Sequence, residues 1–248
     1  MEAIPLWLPL AFFVIALLYA TVGFGGGSSY LAVLALIGIP YQSIPQVALI
    51  CNLVVSGGGV WHFCRGGHLD LKKVLPFIVL SIPLAFLGGQ IPIGRQLFMI
   101  LLGVSLFAAG ARTFLPQREF GSEGLSPKHA WRVGLPIGAV LGFLSGLVGI
   151  GGGIFLAPVL ILAGWANAKQ AAAAAALFII VNSAAGLSGQ LSKGIYLDTM
   201  VIPLVVAVIL GGQIGSRLGA YRLRVGGVRQ LLAVLILFVS IRLIWSAI

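Results

Sequence analysis

Carboxylates are scarce in this 248-residue chain, and none of them falls inside an apolar stretch. The five acidic residues map to predicted termini, turns and the central polar segment: Glu2, Asp70, Glu119, Glu123 and Asp198. Proton and cation pathways through membranes usually run along buried carboxylates or histidines. The lack of intramembrane carboxylates therefore argues against a carboxylate-based proton relay and against a conventional cation channel.

Charge of either sign is rare: charged residues make up 8% of the chain, hydrophobic residues make up 60%, and the mean hydropathy is +1.12. This composition excludes a soluble globular domain and indicates a protein embedded in the lipid bilayer. The formal net charge is +10, but the Lys and Arg residues lie almost wholly between apolar runs, as topology signals do. Nucleic acid is therefore not expected as a partner.

Cysteine and histidine are also few. Cys51 and Cys64 lie on one predicted helix, about 20 Å apart at the usual helical rise, so they cannot form a disulfide with each other. The three histidines, His62, His68 and His129, lack the spacing of a helical metal site. Neither a metal nor another cofactor is expected. A membrane sulfur relay that uses Cys51 or Cys64 stays open as an alternative function.

What the chain does contain is a glycine run that occurs twice, each time within an apolar stretch: Gly23-Phe24-Gly25-Gly26-Gly27 and Gly149-Ile150-Gly151-Gly152-Gly153. Consecutive glycines weaken a helix and leave backbone polar groups that lipid cannot satisfy. Such backbone lies at membrane depth only where it is buried in protein or lines a cavity. Paired interruptions at matching places in two halves point to the binding site of a transporter.

The apolar runs predict an all-α polytopic membrane protein built from ten helical segments. The segments are 5–22, 25–38, 43–60, 73–91, 96–114, 133–148, 151–163, 169–190, 199–215 and 229–247. Segments 25–38 and 151–163 are too short for an ordinary span, and each follows a glycine run. They are either short tilted spans or re-entrant half-helices.

The two halves share further motifs in the same order. Residues 88–91 and 211–214 both read GGQI, and Asn52 falls opposite Asn182 once a four-residue gap is allowed. We therefore divide the chain into a first transmembrane repeat, 1–114, a linker, 115–130, and a second transmembrane repeat, 131–248.

The basic residues predict the orientation of the chain. Ten crossings place twelve of them on one side and three, Arg95, Lys193 and Arg242, on the other. By the positive-inside rule, the linker is cytoplasmic and both termini are outside. The result is the same if segments 1–2 and 6–7 are re-entrant hairpins. An odd number of crossings per half would make the halves inverted repeats.

The residues leave two interpretations of the glycine runs open. One is close helix packing through small residues. The other is an anion site, in which each run opens a short helix whose free N–H groups and positive dipole end face a cavity. The second interpretation places these residues at the substrate: Gly25, Gly26, Gly27, Ser28, Ser29, Gly151, Gly152 and Gly153. The first run is the better candidate because serines follow it, whereas Ile154 and Phe155 follow the second.

Asn52 and Asn182 lie near the middle of the third and eighth segments, where exposure of an amide to lipid would be costly. Both should therefore face the bundle interior, where they would either hydrogen-bond to another helix or contact the substrate. Asp70 and Asp198 each precede a segment, which predicts that they cap helix N-termini.

The doubled GFGGG and GIGGG motifs, the doubled GGQI and the basic central linker resemble the TauE/SafE family of membrane anion transporters. The resemblance covers nearly the whole chain. It implies a multi-pass permease of a bacterial or archaeal inner membrane that moves sulfite, sulfoacetate, thiosulfate or a related organosulfur anion. It also implies transport with neither a cofactor nor ATP hydrolysis.

The expected function is secondary transport of a small sulfur-containing anion by alternating access, and enzymatic activity is not expected. Export is the favoured direction, because a negative interior drives each anionic charge outward by about 2.3 kcal/mol per 100 mV. Import of thiosulfate or a related anion is an alternative. Besides the anionic substrate and the lipid bilayer, a homodimer is the one partner that the sequence leaves open.

Overall fold

The chain folds as a bundle of α-helices, as its apolar runs predict. A computed structural model describes residues 5, 7–114, 127–194, 196–197, 199, 201–221, 237, 240–241 and 245, and within them there is no β-strand. The helices are α1 (Trp7–Thr21), α2 (Gly27–Leu36), α3 (Ser43–Arg65), α4 (Leu71–Gln90), α5 (Arg95–Phe114), α6 (Pro127–Val148), α7 (Gly153–Leu162), α8 (Ala168–Leu191) and α9 (Val201–Tyr221). Most of the linker and of the tenth predicted segment, 229–247, lies outside the described residues.

The helices differ in whether they can cross a membrane. Helices α3, α4, α6, α8 and α9 are long and apolar enough to do so. In contrast, α2 and α7 have 10 residues each. At 1.5 Å per residue each is about 15 Å long, or half the thickness of the hydrocarbon core. The prediction that the segments after the glycine runs are short is confirmed, and neither helix reaches across by itself.

Helices α1 and α2 form a hairpin that turns at the first glycine run. The α1 helix runs alongside α9 in the same direction, since Phe13 lies against Gly211 and Thr21 lies against Gly219. The α2 helix packs back against α1, and the segment after it lies near the start of α9. The chain therefore returns to the end of the bundle from which α1 started.

Helices α6 and α7 form the corresponding hairpin at the second glycine run. The α6 helix runs alongside α4 in the same direction, since Gly138 lies against Phe77 and Gly146 lies against Ala85. After α7, the ring of Trp165 packs edge-on against Phe77, with 5.7 Å between the ring centroids. This hairpin thus returns to the end at which α4 begins.

At the centre, α3 and α8 pack closely in antiparallel directions. A Cβ atom built on Gly59 would be 3.4 Å from Cβ of Ala176, and one built on Gly186 would be 3.6 Å from Cδ1 of Leu49. The alanine stretch 171–176 on α8 is buried throughout. Small residues at such positions allow two backbones to approach closely, which is the usual basis of helix association in membranes.

Contacts between the two halves come in exchanged pairs. The pair Gly59–Ala176 becomes the pair Gly186–Leu49 when each residue is moved by 127 positions into the other half. The helices follow the same exchange, because α4 packs on α6 and α8, whereas α9 packs on α1 and α3. A two-fold relation between the halves produces this pattern. The first helix of each half packs mainly against the other half, so the two are intertwined.

This register corrects the alignment drawn from the sequence. At a separation of 127 positions, Asn52 corresponds to Ile179 and not to Asn182. The GGQI motifs are also out of register by one helical turn, because Gly88 and Gly215 make the equivalent contacts to α6 and α1. The four-residue gap matches residue types but shifts them by one turn on the same face of the helix.

The two ends of the bundle hold different basic residues. At one end, Nζ of Lys193 donates to the carbonyl oxygen of Ile91 at 3.3 Å, four residues before Arg95. At the other end, Nζ of Lys169 donates to the carbonyl oxygen of Ala220 at 3.1 Å. Arg95 and Lys193 thus share one end, as the charge pattern requires. Which end faces the cytoplasm stays a prediction.

Candidate functional site

Each glycine run forms a turn that opens one of the two short helices. Gly26 and Gly152 are the N-caps of α2 and α7, with φ of +87° and +76°, a left-handed conformation that glycine adopts without steric cost. Within the described residues, the N–H groups of 25–27 and 151–153 donate to no backbone carbonyl. A helix start carries a partial positive charge as well as free donors. Both turns therefore present the groups that bind anions.

The side chain of Asn52, near the middle of α3, lies between the two turns. It is fully buried, and a Cβ atom added at Gly25, Gly27 or Gly151 would overlap it. Its Nδ2 donates to the carbonyl oxygen of Ile150 at 3.3 Å, so one amide contacts both glycine runs. The structure therefore brings together predicted site residues from three distant parts of the sequence.

The other side of this amide is unpaired. Oδ1 of Asn52 is buried without a hydrogen-bond partner, and a Cβ atom added at Gly25 would overlap it. Leaving a buried polar atom unpaired costs about 1–3 kcal/mol. Such atoms are uncommon in folded proteins and usually have a functional reason.

Two serine hydroxyls lie beside the turns, and the sequence analysis did not assign either of them to the site. A Cβ atom on Gly25 would be 3.0 Å from Oγ of Ser56, and one on Gly151 would be 3.4 Å from Oγ of Ser183. Both hydroxyls are buried and unpaired, and the two residues correspond at a separation of 127 positions. The sequence signal for Ser56 was its place one helical turn after Asn52, on the same face of α3.

Ser28 and Ser29 are buried, but their hydroxyls are engaged elsewhere. Oγ of Ser29 is 2.8 Å from the phenolic oxygen of Tyr19, and Oγ of Ser28 donates to the same oxygen at 3.3 Å. These bonds tie α2 to α1 behind the turn. The remaining glycine of the first run, Gly26, lies against the ring of Tyr30. A substrate contact by the two serines stays a prediction.

Asn182 is also buried, but it is not the counterpart of Asn52. Its Nδ2 donates to the carbonyl oxygen of Phe178 on its own helix at 2.8 Å, and its Oδ1 is unpaired. The side chain nearest to Gly153 is that of Ile179, and the one nearest to Gly152 is that of Phe178. The second run therefore faces apolar side chains where the first run faces an amide. A substrate contact by Asn182 stays a prediction.

The remaining candidates from the sequence lie away from the turns. Cys51 is buried in the apolar core and Cys64 is exposed. The described residues contain no group of three or more His, Cys, Asp or Glu side chains that could hold a metal. Asp70 caps α4, since its Oδ1 accepts from the N–H of Lys72 at 3.1 Å, which confirms the prediction. Asp198 lies outside the described residues.

Comparison with known proteins places this helical bundle. The model of the family described as "Sulfite exporter TauE/SafE" matches residues 8–243. The chain belongs to the TauE/SafE family. Among its relatives in that comparison, the probable membrane transporter protein y4hK of Sinorhizobium fredii is 36% identical over 250 residues, which is 99% of this chain and 100% of the relative. The probable membrane transporter protein YunE of Bacillus subtilis is 25% identical over 92% of each chain. No solved structure matches.

The family and the relatives confirm the resemblance that the doubled glycine motifs indicated. Together with five helices long and apolar enough to span a bilayer, they make this TauE/SafE protein a multi-pass membrane transporter.

Proposed function

We propose that this TauE/SafE protein exports a small sulfur-containing anion, such as sulfite or an organosulfonate, across a bacterial or archaeal inner membrane by alternating access. The observation that carries the proposal is the position of Asn52, whose buried amide contacts both glycine turns where their N–H groups are free.

The donors of this site suit an oxyanion. Backbone N–H groups at two helix starts, and the hydroxyls of Ser56 and Ser183, can all donate to oxygen atoms. Discontinuous helices hold anionic groups in this way in other transporters. Because the site is built from neutral groups, an anion that binds there is held by hydrogen bonds and helix dipoles and not by an ion pair. Weak enough binding for release is expected from such a site.

The exchanged contacts between the halves support alternating access. The first turn is anchored near one end of the antiparallel pair α3 and α8, where Gly23 lies against Ala172. The second turn is anchored near the other end, where Gly149 lies against Pro45. A site between two such turns can open toward either end if the halves are inverted repeats. The charge pattern supports a cytoplasmic linker and termini on the outside.

The test is the flux of labelled sulfite through proteoliposomes that contain purified Asn52→Ala protein, with Asn182→Ala as the matched control. Both replacements remove a buried amide from the middle of a spanning helix. We expect the Asn52 variant to lose at least about tenfold in rate, the loss of one charge-assisted hydrogen bond and its desolvated partner. The Asn182 variant should keep most of its rate. Equal rates for wild type and Asn52→Ala would show that the site lies elsewhere.

A further inference from the structure

A cavity of about 410 Å³ opens at the end of the bundle where α3 begins and α8 ends. Its walls come from the start of α3, the turn between α4 and α5, the end of α6 and the loop after α8. The polar groups among its lining residues are the amides of Gln42, Gln90 and Gln190, the phenols of Tyr41 and Tyr196, and the ammonium of Lys193.

Lys193 is the cation of this cavity. Its side chain is partly buried, and its Nζ is held by the carbonyl oxygen of Ile91 at 3.3 Å. Burial lowers the pKa of the Lys193 ammonium, since desolvation disfavours the charged form. No carboxylate from the described residues lines the cavity. The charge is thus left to attract an anion.

The cavity ends close to the buried site. Pro45 and Leu147 form part of its wall, and a Cβ atom on Gly149 would be 2.8 Å from Cα of Pro45. The residue after Gly149 is Ile150, whose carbonyl oxygen accepts from Asn52. One layer of residues therefore separates the cavity from the amide between the glycine turns.

The equivalent positions at the other end of the bundle are packed shut. Moved by 127 positions, Pro45 becomes Ala172 and Gln190 becomes Phe63, and these two side chains are 5% and 1% exposed. They form an apolar cluster with Ala173 and Ala220. The two ends thus differ, with a basic polar cavity at one and apolar packing at the other.

We propose that the cavity is an anion vestibule, in which Lys193 gathers the transported anion at the mouth of the path to or from Asn52. The proposal rests on the proposed function for the identity of the anion, but the attraction of the vestibule for anions can be measured separately. Lys193 acts here as a binding residue outside the central site.

The first measurement uses the full-length protein with Cys64→Ser and a reporter thiol introduced by Gln42→Cys. The thiol is modified with an anionic sulfonatoethyl methanethiosulfonate and with its cationic trimethylammonioethyl analogue. We expect Lys193→Gln to lower the ratio of anionic to cationic reaction rates by about threefold, as one nearby charge should at physiological ionic strength. Lys73→Gln, which removes a cation from a separate cavity beside Asp70, should leave the ratio unchanged. An unchanged ratio in Lys193→Gln would overturn the vestibule, even in a protein that transports sulfite.

The second measurement is the KM for sulfite flux with substrate supplied from the vestibule side. Lys193→Gln should raise KM severalfold with little change in the maximal rate, and Lys193→Arg should restore it. A lower labelling ratio without a change in KM would also overturn the proposal, because the charge would then not act on the substrate. Absence of sulfite flux in the unaltered protein would overturn the proposed function, while the labelling ratio would still decide whether the vestibule attracts anions.

Discussion

The two glycine turns share a backbone but face different side chains. Both place a left-handed glycine before a 10-residue helix, and both leave N–H donors unpaired. Against the first turn lies Asn52, and at the equivalent position against the second lies Ile179. The backbone donors are thus retained in both copies, whereas polar recognition by a side chain has been kept on one.

This inequality does not make two separate half-sites. The amide of Asn52 reaches across to the carbonyl of Ile150 in the second run, so a single side chain serves both turns. An isoleucine at the equivalent place closes the site on the other side with an apolar wall. A combination of convergent donors and an apolar wall is usual for small-ligand sites.

The strongest way to break the comparison is to fill the space between Asn52 and the first turn. We expect Gly25→Ala to abolish sulfite flux, because its Cβ atom would overlap Oδ1 of Asn52 and lie 3.0 Å from Oγ of Ser56. The matched control is Gly57→Ala, whose Cβ atom would meet nothing within 4 Å. This control should keep its flux, and its melting temperature should stay equal or rise, since alanine favours a helix by about 1 kcal/mol. Normal flux in Gly25→Ala would separate the first turn from the transport path.

A swap of the two unequal residues would sharpen the comparison. Asn52→Ile should reduce sulfite flux by more than about tenfold, because it removes the amide that bridges the turns. If the halves are related as their contacts indicate, adding Ile179→Asn should restore part of the flux by placing an amide against the second turn. Initial rates in proteoliposomes give the comparison. A double variant no faster than Asn52→Ile would mean that the side-chain asymmetry is essential to transport.

The smallest expected effects concern the two hydroxyls. Ser56→Ala and Ser183→Ala should each lower the affinity for sulfite by about threefold to tenfold, as the loss of one neutral hydrogen bond usually does. The effect of Ser56→Ala should be the larger, because Ser56 stands beside the turn that also faces Asn52. Equilibrium binding to purified protein measures both. Ser145→Ala, which removes another buried unpaired hydroxyl, is the control and should bind sulfite normally.

Much of the fold follows from local features of the sequence. Apolar runs located the nine helices of the described residues, although α6 begins at Pro127 and not at 133. The two glycine runs marked the turns and the short helices after them, since neither consecutive glycines nor 10 residues can make a full span. Asp70 was assigned as an N-cap from its place before α4, and the structure confirms it.

The pairing of residues across the bundle could not be read in the same way. Asn52 and Asn182 match by type, yet the packing of α3 against α8 sets a register of 127 positions, in which Ile179 takes the equivalent place. Likewise, Ser28 and Ser29 follow the first turn in sequence, but the α1–α2 hairpin directs their hydroxyls to Tyr19. A four-residue shift keeps a residue on the same helix face, so hydropathy does not reveal it.

The sequence by itself determined that this protein is a helical membrane protein with a duplicated glycine turn, because hydropathy and the conformational freedom of glycine are local properties. Only the tertiary structure decided that Asn52 joins the two turns, that Ser56 and Ser183 stand beside them, and that a basic cavity opens at one end alone of the equivalent positions described. These features depend on the register and closeness of helices far apart in the chain, which steric packing sets.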